Sequence, residues 1–248
     1  MEYTYNPEHA AAIFVDGITT AVVRGFTPDI SWSDYCSRLR ERRPALSFTH
    51  LEQPYDWREI LIGRAPSYDE LVKSMAREGT GGMDPGVEFA VVFGFSLGGL
   101  TALRIAHAVS AFQLANLKYL ALVTLGAPFA GTGRLLDPLF RHVHIDYIQS
   151  MLDEDANRGL FEELLERTGD IECRILLGEI ERDEMVSTGS ALNPAHWLSV
   201  RPARANLRWG TFRIPTSKLI RAHDGLLHDR LGVAYIDGLL DGLLPETA

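Results

Sequence analysis

A serine flanked by glycines at fixed spacing gives this sequence its clearest chemical signal. Ser96 lies in the run VVFGFSLGG, residues 91–99, with Gly94 two residues before it and Gly98 two residues after it. Where a strand turns sharply into a helix, the turn residue is strained and its neighbours at these two positions must lack bulk. Such a turn projects the serine oxygen from the sheet, beside a helix N-terminus that favours developing negative charge. The pattern predicts a nucleophile elbow, with an inert glycine-rich turn as the alternative.

A serine nucleophile needs two partners elsewhere in the chain. Its hydroxyl attacks only when a base removes the proton and a carboxylate holds that base in the right tautomer. With an elbow of this type the order along the chain is serine, acid, histidine. Asp183 lies in EIERDEMVS, just after the apolar run CRILLG, and His223 lies in RAHDGLLHD. The sequence therefore predicts Asp183 as the acid and His223 as the base.

Neighbouring residues compete for both roles. Glu179 and Glu181 lie close to Asp183 and offer the same carboxylate chemistry, and any of the three could be a solvated loop charge. His228 lies five residues after His223. Because His228 falls within the amphipathic pattern that closes the chain, we predict a surface position for it and favour His223.

Other polar patterns are less consistent with chemistry. The segment HVHID places His142, His144 and Asp146 at alternate positions, as in some metal-dependent hydrolases, but Tyr147 stands where another histidine would be needed. We predict no metal site there. The stretch TGGMDPG at 80–86 resembles a phosphate loop only in composition, because no Gly-Lys-Ser/Thr follows it.

The elements that would position these residues alternate along the chain. Short apolar runs of strand character alternate with longer segments of helical period, which is typical of a parallel sheet covered by helices on both faces. The predicted strands are 11–15, 46–50, 87–94, 119–125 and 174–178. The predicted helices are 33–43, 67–78, 97–111 and a closing amphipathic helix within 226–244. No repeat or linker-like tract divides the chain, so we predict one domain over 1–248.

Composition excludes several classes of function. The formal net charge of -9 and the absence of a basic cluster argue against a nucleic-acid partner, which requires surplus Lys and Arg. The two cysteines, Cys36 and Cys173, form no disulfide framework and have no metal-ligand spacing. The apolar stretches are shorter than the roughly 18 residues of a spanning helix, so we expect no transmembrane segment. The first residues do not resemble a secretory signal, and we therefore expect a cytoplasmic protein.

The sequence constrains the structure of segment 129–170 less than that of the rest of the chain. It contains short amphipathic stretches that we interpret as a lid or substrate wall over the site, although the last of them, RGLFEELLERTG, is better explained as an ordinary covering helix. Apolar residues such as Leu135 and Phe140 favour an acyl chain over a charged substrate. His196 and Trp197 lie in NPAHWLSV, a predicted loop between the acid and the base, and either line the pocket or simply pack.

Five stretches of the chain resemble the small bacterial lipases and esterases of the α/β-hydrolase superfamily. They are IFVDGI, GFSLGG, LVTLGAPFAGTG, RDEMV and HDGLL, and they span residues 13 to beyond 220. The resemblance implies an α/β-hydrolase fold and the roles of nucleophile, acid and base for Ser96, Asp183 and His223. It also implies an oxyanion hole formed by the backbone N–H groups of Leu97 and Ile18, a small-molecule ester as substrate, and no cofactor.

Asp16 is a departure from this family, which usually has histidine before the glycine of that loop. A carboxylate aimed at the oxyanion pocket would oppose the charge of the tetrahedral intermediate. We therefore expect Asp16 to point away and to bind backbone N–H groups of its own loop, or to be a simple turn former.

The resemblance leaves three functions open. Ester hydrolysis is the first prediction. A thioesterase or acyltransferase on the same scaffold would use the same chemistry up to the acyl-enzyme. A non-catalytic binding protein with this fold is the remaining alternative, and Asp16 is its one indication in the sequence.

Overall fold

The structure is a computed structural model that covers the chain in several stretches. It describes residues 9–17, 31–52, 54–55, 59–60, 62–81, 86–111, 116–130, 149–150, 152–217, 222–223 and 225–244.

A parallel sheet forms the centre of the described residues. Its strands are β1 Ala10–Val15, β2 Ser47–Leu51, β3 Phe89–Phe95, β4 Tyr119–Leu125, β5 Glu172–Ile180 and β6 Leu207–Ile214. They lie in the order β2-β1-β3-β4-β5-β6, and every neighbouring pair is parallel. Val15 pairs with Gly94, Gly94 with Thr124 and Leu125 with Gly178, so these four strands end at one edge. Ligands of such sheets bind outside the carboxyl ends of the strands.

Helices cover both faces of this sheet. They are α1 Ser33–Arg42, α2 Tyr68–Gly81, α3 Leu97–Ala111, α4 Glu154–Arg167, α5 Thr188–Ala191, α6 Asn193–Ser199 and α7 Arg230–Leu243, with a 3₁₀ turn at Leu226–His228. Buried side chains of α2, α3, α4 and α6 share one hydrophobic core, and those of α1 and α7 share another. The alternation of side chains along each strand produces the two cores. In β1, for example, Ile13 and Val15 enter the first core and Phe14 the second.

The predicted architecture agrees with this sheet, and the boundaries differ by a few residues. Buried parallel strands are nearly continuous apolar runs, which explains why β1, β3 and β4 are readable from the sequence. β2 and β5 are less completely buried and were also predicted. β6 was missed. As an edge strand it pairs only with β5, and several of its residues, including Trp209 at 40 % exposure, face solvent. The stretch around Trp197, predicted as a loop, is helical in α6.

The predicted lid segment is described only in part. α4 packs against α3 through a buried face that includes Phe161, Leu164 and Leu165, which fits the interpretation of this stretch as a covering helix. The residues from 131 to 148, with Leu135 and Phe140, lie outside the described part of the chain. The lid therefore remains a prediction. In the stretches that the structure describes, no helix is both long and apolar enough to cross a membrane.

Candidate active site

Ser96 occupies the turn between β3 and α3. Its backbone φ is +55°, in the left-handed region that non-glycine residues rarely adopt. Two backbone bonds hold this turn: the Ser96 N–H donates to the Leu125 carbonyl at 2.8 Å, and its carbonyl accepts from the Gly99 N–H at 2.9 Å. The serine is 8 % exposed. A strained serine at the end of a central strand has the backbone geometry expected of a nucleophile elbow.

The two flanking glycines meet the crowding that the sequence pattern predicts. A Cβ on Gly94 would lie 2.6 Å from the Ala102 Cβ of α3. A Cβ on Gly98 would collide with the backbone of Asp16 and lie 2.5 Å from the Val15 carbonyl oxygen. Glycine is therefore required at position 94 for β3 to approach α3 this closely, and at position 98 for α3 to approach the end of β1.

The structure brings Ser96, His223 and Asp183 into a chain of hydrogen bonds. His223 Nε2 lies 2.7 Å from Ser96 Oγ, and His223 Nδ1 lies 2.8 Å from Asp183 Oδ2. The imidazole is 2 % exposed and stacks on the Phe95 ring, with centroids 5.1 Å apart. With Nδ1–H donating to the carboxylate, Nε2 is left as an acceptor for the serine O–H. This arrangement allows the proton of Ser96 to move to the imidazole.

The second oxygen of Asp183 is bound to its own loop. Asp183 Oδ1 accepts from the N–H groups of Met185 and Val186, each at 2.8 Å. The loop leaves β5 through Arg182, whose φ of +60° is also left-handed. Asp183 therefore cannot rotate without losing these two bonds, and Oδ2 stays directed at His223.

The two predicted competitors for the acid have other surroundings. Glu179 lies within β5 and accepts from Arg213 Nε on β6 at 2.6 Å. The Glu181 N–H donates to the carbonyl of Ile214, at the end of the neighbouring strand. Among the described residues, it is Asp183 whose carboxylate bonds to His223.

His228 lies away from this group of residues. It is in the 3₁₀ turn before α7 and is exposed, in agreement with the predicted surface position. Its Nδ1 lies 3.9 Å from the carboxylate of Asp34, on α1.

Two further carboxylates hold the segment that bears His223, and sequence reasoning missed both. Glu184 Oε2 accepts from the Ala222 N–H at 3.0 Å, directly before His223. Asp229, which begins α7, accepts from Ser217 N–H at 2.6 Å and from Ser217 Oγ–H at 2.7 Å. The position of Glu184 next to Asp183 was a usable signal. The sequence contained no signal for the bond between Asp229 and Ser217, because that bond forms only where the two ends of a loop meet.

Gly126 lies beneath the hydrogen-bonded chain at the end of β4. Its φ is +59°, and its N–H donates to the Gly178 carbonyl at 2.8 Å. A Cβ here would lie 2.7 Å from Ile180 Cδ1, 3.1 Å from Asp183 Oδ2 and 3.3 Å from His223 Cε1. A larger residue would therefore both strain the backbone and press on the acid and the imidazole.

The residues predicted for the oxyanion hole are described in part. Leu97 is the first residue of α3, where N–H groups have no partner within the helix. Ile18 lies outside the described residues.

Asp16 binds one backbone N–H group at the far end of the loop that joins β1 to α1. Its Oδ1 accepts from the Trp32 N–H, 16 residues along the chain, and from His50 Nε2 on β2, each at 2.8 Å. Residues 18–30 of this loop lie outside the described residues, so bonds to their N–H groups remain a prediction. The bond to His50 was not predicted, because His50 reaches Asp16 only through the pairing of β1 with β2.

Other predicted positions contribute less to the site. His196 is exposed on α6, whereas Trp197 is buried and packs edge-on against the Phe161 ring with centroids 5.7 Å apart. The described residues contain no cluster of His, Cys, Asp or Glu able to hold a metal ion. The HVHID segment lies outside them.

Solved structures of lipolytic enzymes share this fold. The sequence matches no protein-family model and no curated protein sequence. It is similar in structure to a metagenome-derived lipolytic enzyme of the LipS and LipT pair, with a TM-score of 0.56 and 12 % identity over 95 % of this chain and 93 % of the other. The monoacylglycerol lipase of Paleococcus ferrophilus gives a TM-score of 0.53 and 14 % identity over 97 % and 96 % of the two chains.

A third solved structure also has a similar fold. A lipase-esterase related protein from Clostridium acetobutylicum gives a TM-score of 0.50 and 11 % identity, with 94 % of each chain covered. At such low identities the likeness concerns the fold, and the chain has the α/β-hydrolase fold.

Proposed function

We propose that this protein is a serine hydrolase that cleaves carboxylic esters through an acyl-enzyme intermediate. The observation that supports this most directly is the chain of hydrogen bonds from Asp183 through His223 to Ser96, with the serine strained at the end of β3. Nucleophile, base and orienting carboxylate within hydrogen-bond distance are the arrangement that serine acyl transfer needs.

In the first half of the proposed reaction the enzyme is acylated. Ser96 Oγ forms a bond to the ester carbonyl carbon while His223 Nε2 takes the hydroxyl proton. The resulting oxyanion accepts hydrogen bonds from the backbone N–H groups of Leu97 and Ile18. When the tetrahedral intermediate collapses, the ester C–O bond breaks, and the alcohol leaves with the proton from His223.

In the second half the acyl group is released. Water loses a proton to His223 Nε2 and attacks the acyl carbonyl, and the bond to Ser96 Oγ breaks as that oxygen regains the proton. Asp183 keeps Nδ1–H in place and stabilises the imidazolium in both halves, without itself accepting the proton.

The proposed substrate is a neutral ester with an apolar acyl group. Leu135 and Phe140 are the basis of this expectation in the sequence. Esters of a chromogenic alcohol with short or medium acyl chains should be hydrolysed faster than peptide amides. Comparable turnover of an unactivated amide would contradict the ester assignment. A thioester, and an alcohol that competes with water as acceptor, separate a hydrolase from a thioesterase or an acyltransferase.

Labelling with a fluorophosphonate tests whether Ser96 is a live nucleophile. The probe phosphonylates a serine whose proton is taken by a base, with loss of fluoride, and its phosphoryl oxygen occupies an oxyanion site. We expect one label per chain on Ser96, none in Ser96→Ala, and much slower labelling in His223→Ala. Ser110→Ala is the matched control, because its hydroxyl bonds to the His107 carbonyl on α3 outside the site.

A folded wild-type protein that stays unlabelled after long incubation would contradict the enzymatic proposal. That result would favour a binding protein with this fold. Intact mass and peptide mapping distinguish label on Ser96 from label elsewhere.

A further inference from the structure

Asp16 is a buried carboxylate that joins β1 to the elbow. Its side chain is 8 % exposed. The Asp16 N–H donates to the Leu51 carbonyl of β2 at 3.0 Å, and its own carbonyl oxygen lies against Gly98 of α3. Gly98 is two residues after Ser96, so the backbone of Asp16 packs against the first turn of α3 beside Ser96.

The Asp16 carboxylate has two hydrogen-bond donors on the same oxygen. Trp32 N–H and His50 Nε2 each lie 2.8 Å from Oδ1. The Trp32 indole N–H also donates to the Val15 carbonyl at 3.0 Å, so that Trp32 binds both residues at the end of β1. These bonds fix the direction in which the chain leaves the sheet towards Gly17.

Asp16 packs against Gly98, the neighbour of Leu97, whose N–H is proposed to bind the developing negative charge. An uncompensated carboxylate here would oppose an oxyanion held by the N–H groups of Leu97 and Ile18. When it is protonated, His50 supplies the opposite charge. Burial alone would lower the pKa of His50, but the hydrogen bond and charge of Asp16, together with the charge of Glu52, raise it above its ordinary value.

We infer that His50 is a positioning residue for the proposed hydrolysis: as an imidazolium it neutralises Asp16 and holds the end of β1 so that the oxyanion meets no opposing charge. This inference rests on the proposed function, and it concerns residues that contact neither the substrate nor Ser96.

Among the described residues, few other charged groups lie near the pair. Glu52 lies beside His50, with 3.8 Å between Oε1 and Nδ1, and is 73 % exposed. Cys36 on α1 is near Asp16, and burial followed by the charge of Asp16 raises its pKa to about 12, so it stays neutral. Arg40 on α1 lies over the Phe48 ring at 5.1 Å. Of these described groups, His50 is the one whose ordinary pKa, about 6.5, is close to neutrality.

This assignment predicts a characteristic pH profile. The rate should fall at higher pH as His50 loses its proton and leaves Asp16 without a positively charged partner. Since the folded-state pKa of His50 is raised, the falling limb should begin above the ordinary pKa of histidine.

Three variants test the charge compensation. His50→Gln keeps a donor for Asp16 but no charge, and should lower kcat by about tenfold with little change in KM, because the lost interaction is made in the transition state. Asp16→Asn removes the charge itself and should keep most of the activity while losing the falling limb. The double variant should recover to within about threefold of Asp16→Asn, since no uncompensated carboxylate remains.

The measurement uses a neutral chromogenic ester, read at a wavelength where absorbance does not depend on pH. Rates are divided by the fraction of Ser96 that a fluorophosphonate labels. His107→Gln is the matched control: its Nε2 also lies 2.8 Å from a carboxylate, that of Glu163, but on α3 and α4 outside the site. It should leave the profile unchanged.

The outcomes separate this inference from the proposed function. A wild type that does not label overturns both. A wild type that labels and hydrolyses, with a double variant as slow as His50→Gln or with His50→Gln unaffected, overturns the inference alone. If His50→Gln does not fold, Asp16→Asn and a histidine NMR titration decide: the pKa of His50 must fall in that variant, and an unchanged value overturns the pairing.

Discussion

Asp183 divides its carboxylate between its own loop and His223. Asparagine in its place can still accept from the Met185 and Val186 N–H groups, which directs its NH₂ group at Nδ1 of His223. The imidazole must then carry its proton on Nε2, the wrong tautomer for a base. We expect Asp183→Asn to lower kcat by about 10⁴-fold while the protein stays folded.

Steady-state kinetics on a chromogenic ester measure this loss. Glu181→Gln is the control, since it alters a neighbouring carboxylate in the same loop, and it should change kcat little. If Glu181→Gln were the inactive variant and Asp183→Asn the active one, the acid would have to be reassigned.

The residues of the hydrogen-bonded chain were predictable because their chemistry constrains their order along the sequence. Ser96 has a local glycine pattern, and Asp183 and His223 follow it in the order expected for an elbow. His50 has no such pattern. It meets Asp16 only because β1 and β2 are neighbours in the sheet, which no local spacing reveals.

At the scale of an element, the loop after β5 positions the histidine segment with two consecutive carboxylates. Asp183 holds the ring of His223, and Glu184 accepts from the N–H of the preceding Ala222. Glu184→Ala should lower kcat by about tenfold, because the ring stays tethered while its backbone loses a charge-assisted bond. Glu184→Gln keeps an acceptor and should recover most of the rate.

Kinetics and fluorophosphonate labelling rates of the two variants test this role of Glu184. Glu181→Ala is the control, as it shortens another glutamate of the same loop. Equal losses in Glu184→Ala and Glu184→Gln would mean that the charge of Glu184, and not its bond to Ala222, is what matters.

The burial of each strand helps to explain which strands the sequence predicts well. β1, β3 and β4 are buried on both faces and are therefore apolar throughout. β6 lies at the edge with the sequence LRWGTFRI, whose alternate exposed residues resemble a surface segment. An edge position alone does not hide a strand, because β2 also lies at an edge of the sheet and was predicted.

At the scale of the whole molecule, Asp229 makes the stability of the fold depend on pH. It is 3 % exposed and bonds to Ser217 and to the Leu231 N–H at the start of α7. Burial alone would raise its pKa, but the bonds from Ser217, with those from Thr216 and Leu231, lower it below the ordinary value. A lowered folded-state pKa stabilises the fold above the pKa of the unfolded chain, and this stabilisation is lost as the pH falls through the folded-state pKa.

Denaturant unfolding of Asp229→Asn from pH 2 to 6 tests this link. The variant should be less stable than the wild type at pH 6, and the difference should shrink as the pH falls. Asp153→Asn is the matched control, since Asp153 is the exposed N-cap of α4 and bonds to the Ala156 N–H. A difference for Asp229→Asn that does not depend on pH would contradict the assignment.

The order of the three hydrogen-bonded residues along the chain has a consequence for protein synthesis. Ser96 and its elbow are translated long before His223, and the described bonds that hold His223 come from Asp183, Glu184 and Asp229, all more than eighty residues after the serine. A nascent chain synthesised only as far as β4 contains Ser96 but neither Asp183 nor His223. In the proposed mechanism, Ser96 is therefore synthesised before the residues that activate it. The protein can attack an ester only after the C-terminal part of the chain, with His223, has folded onto the sheet.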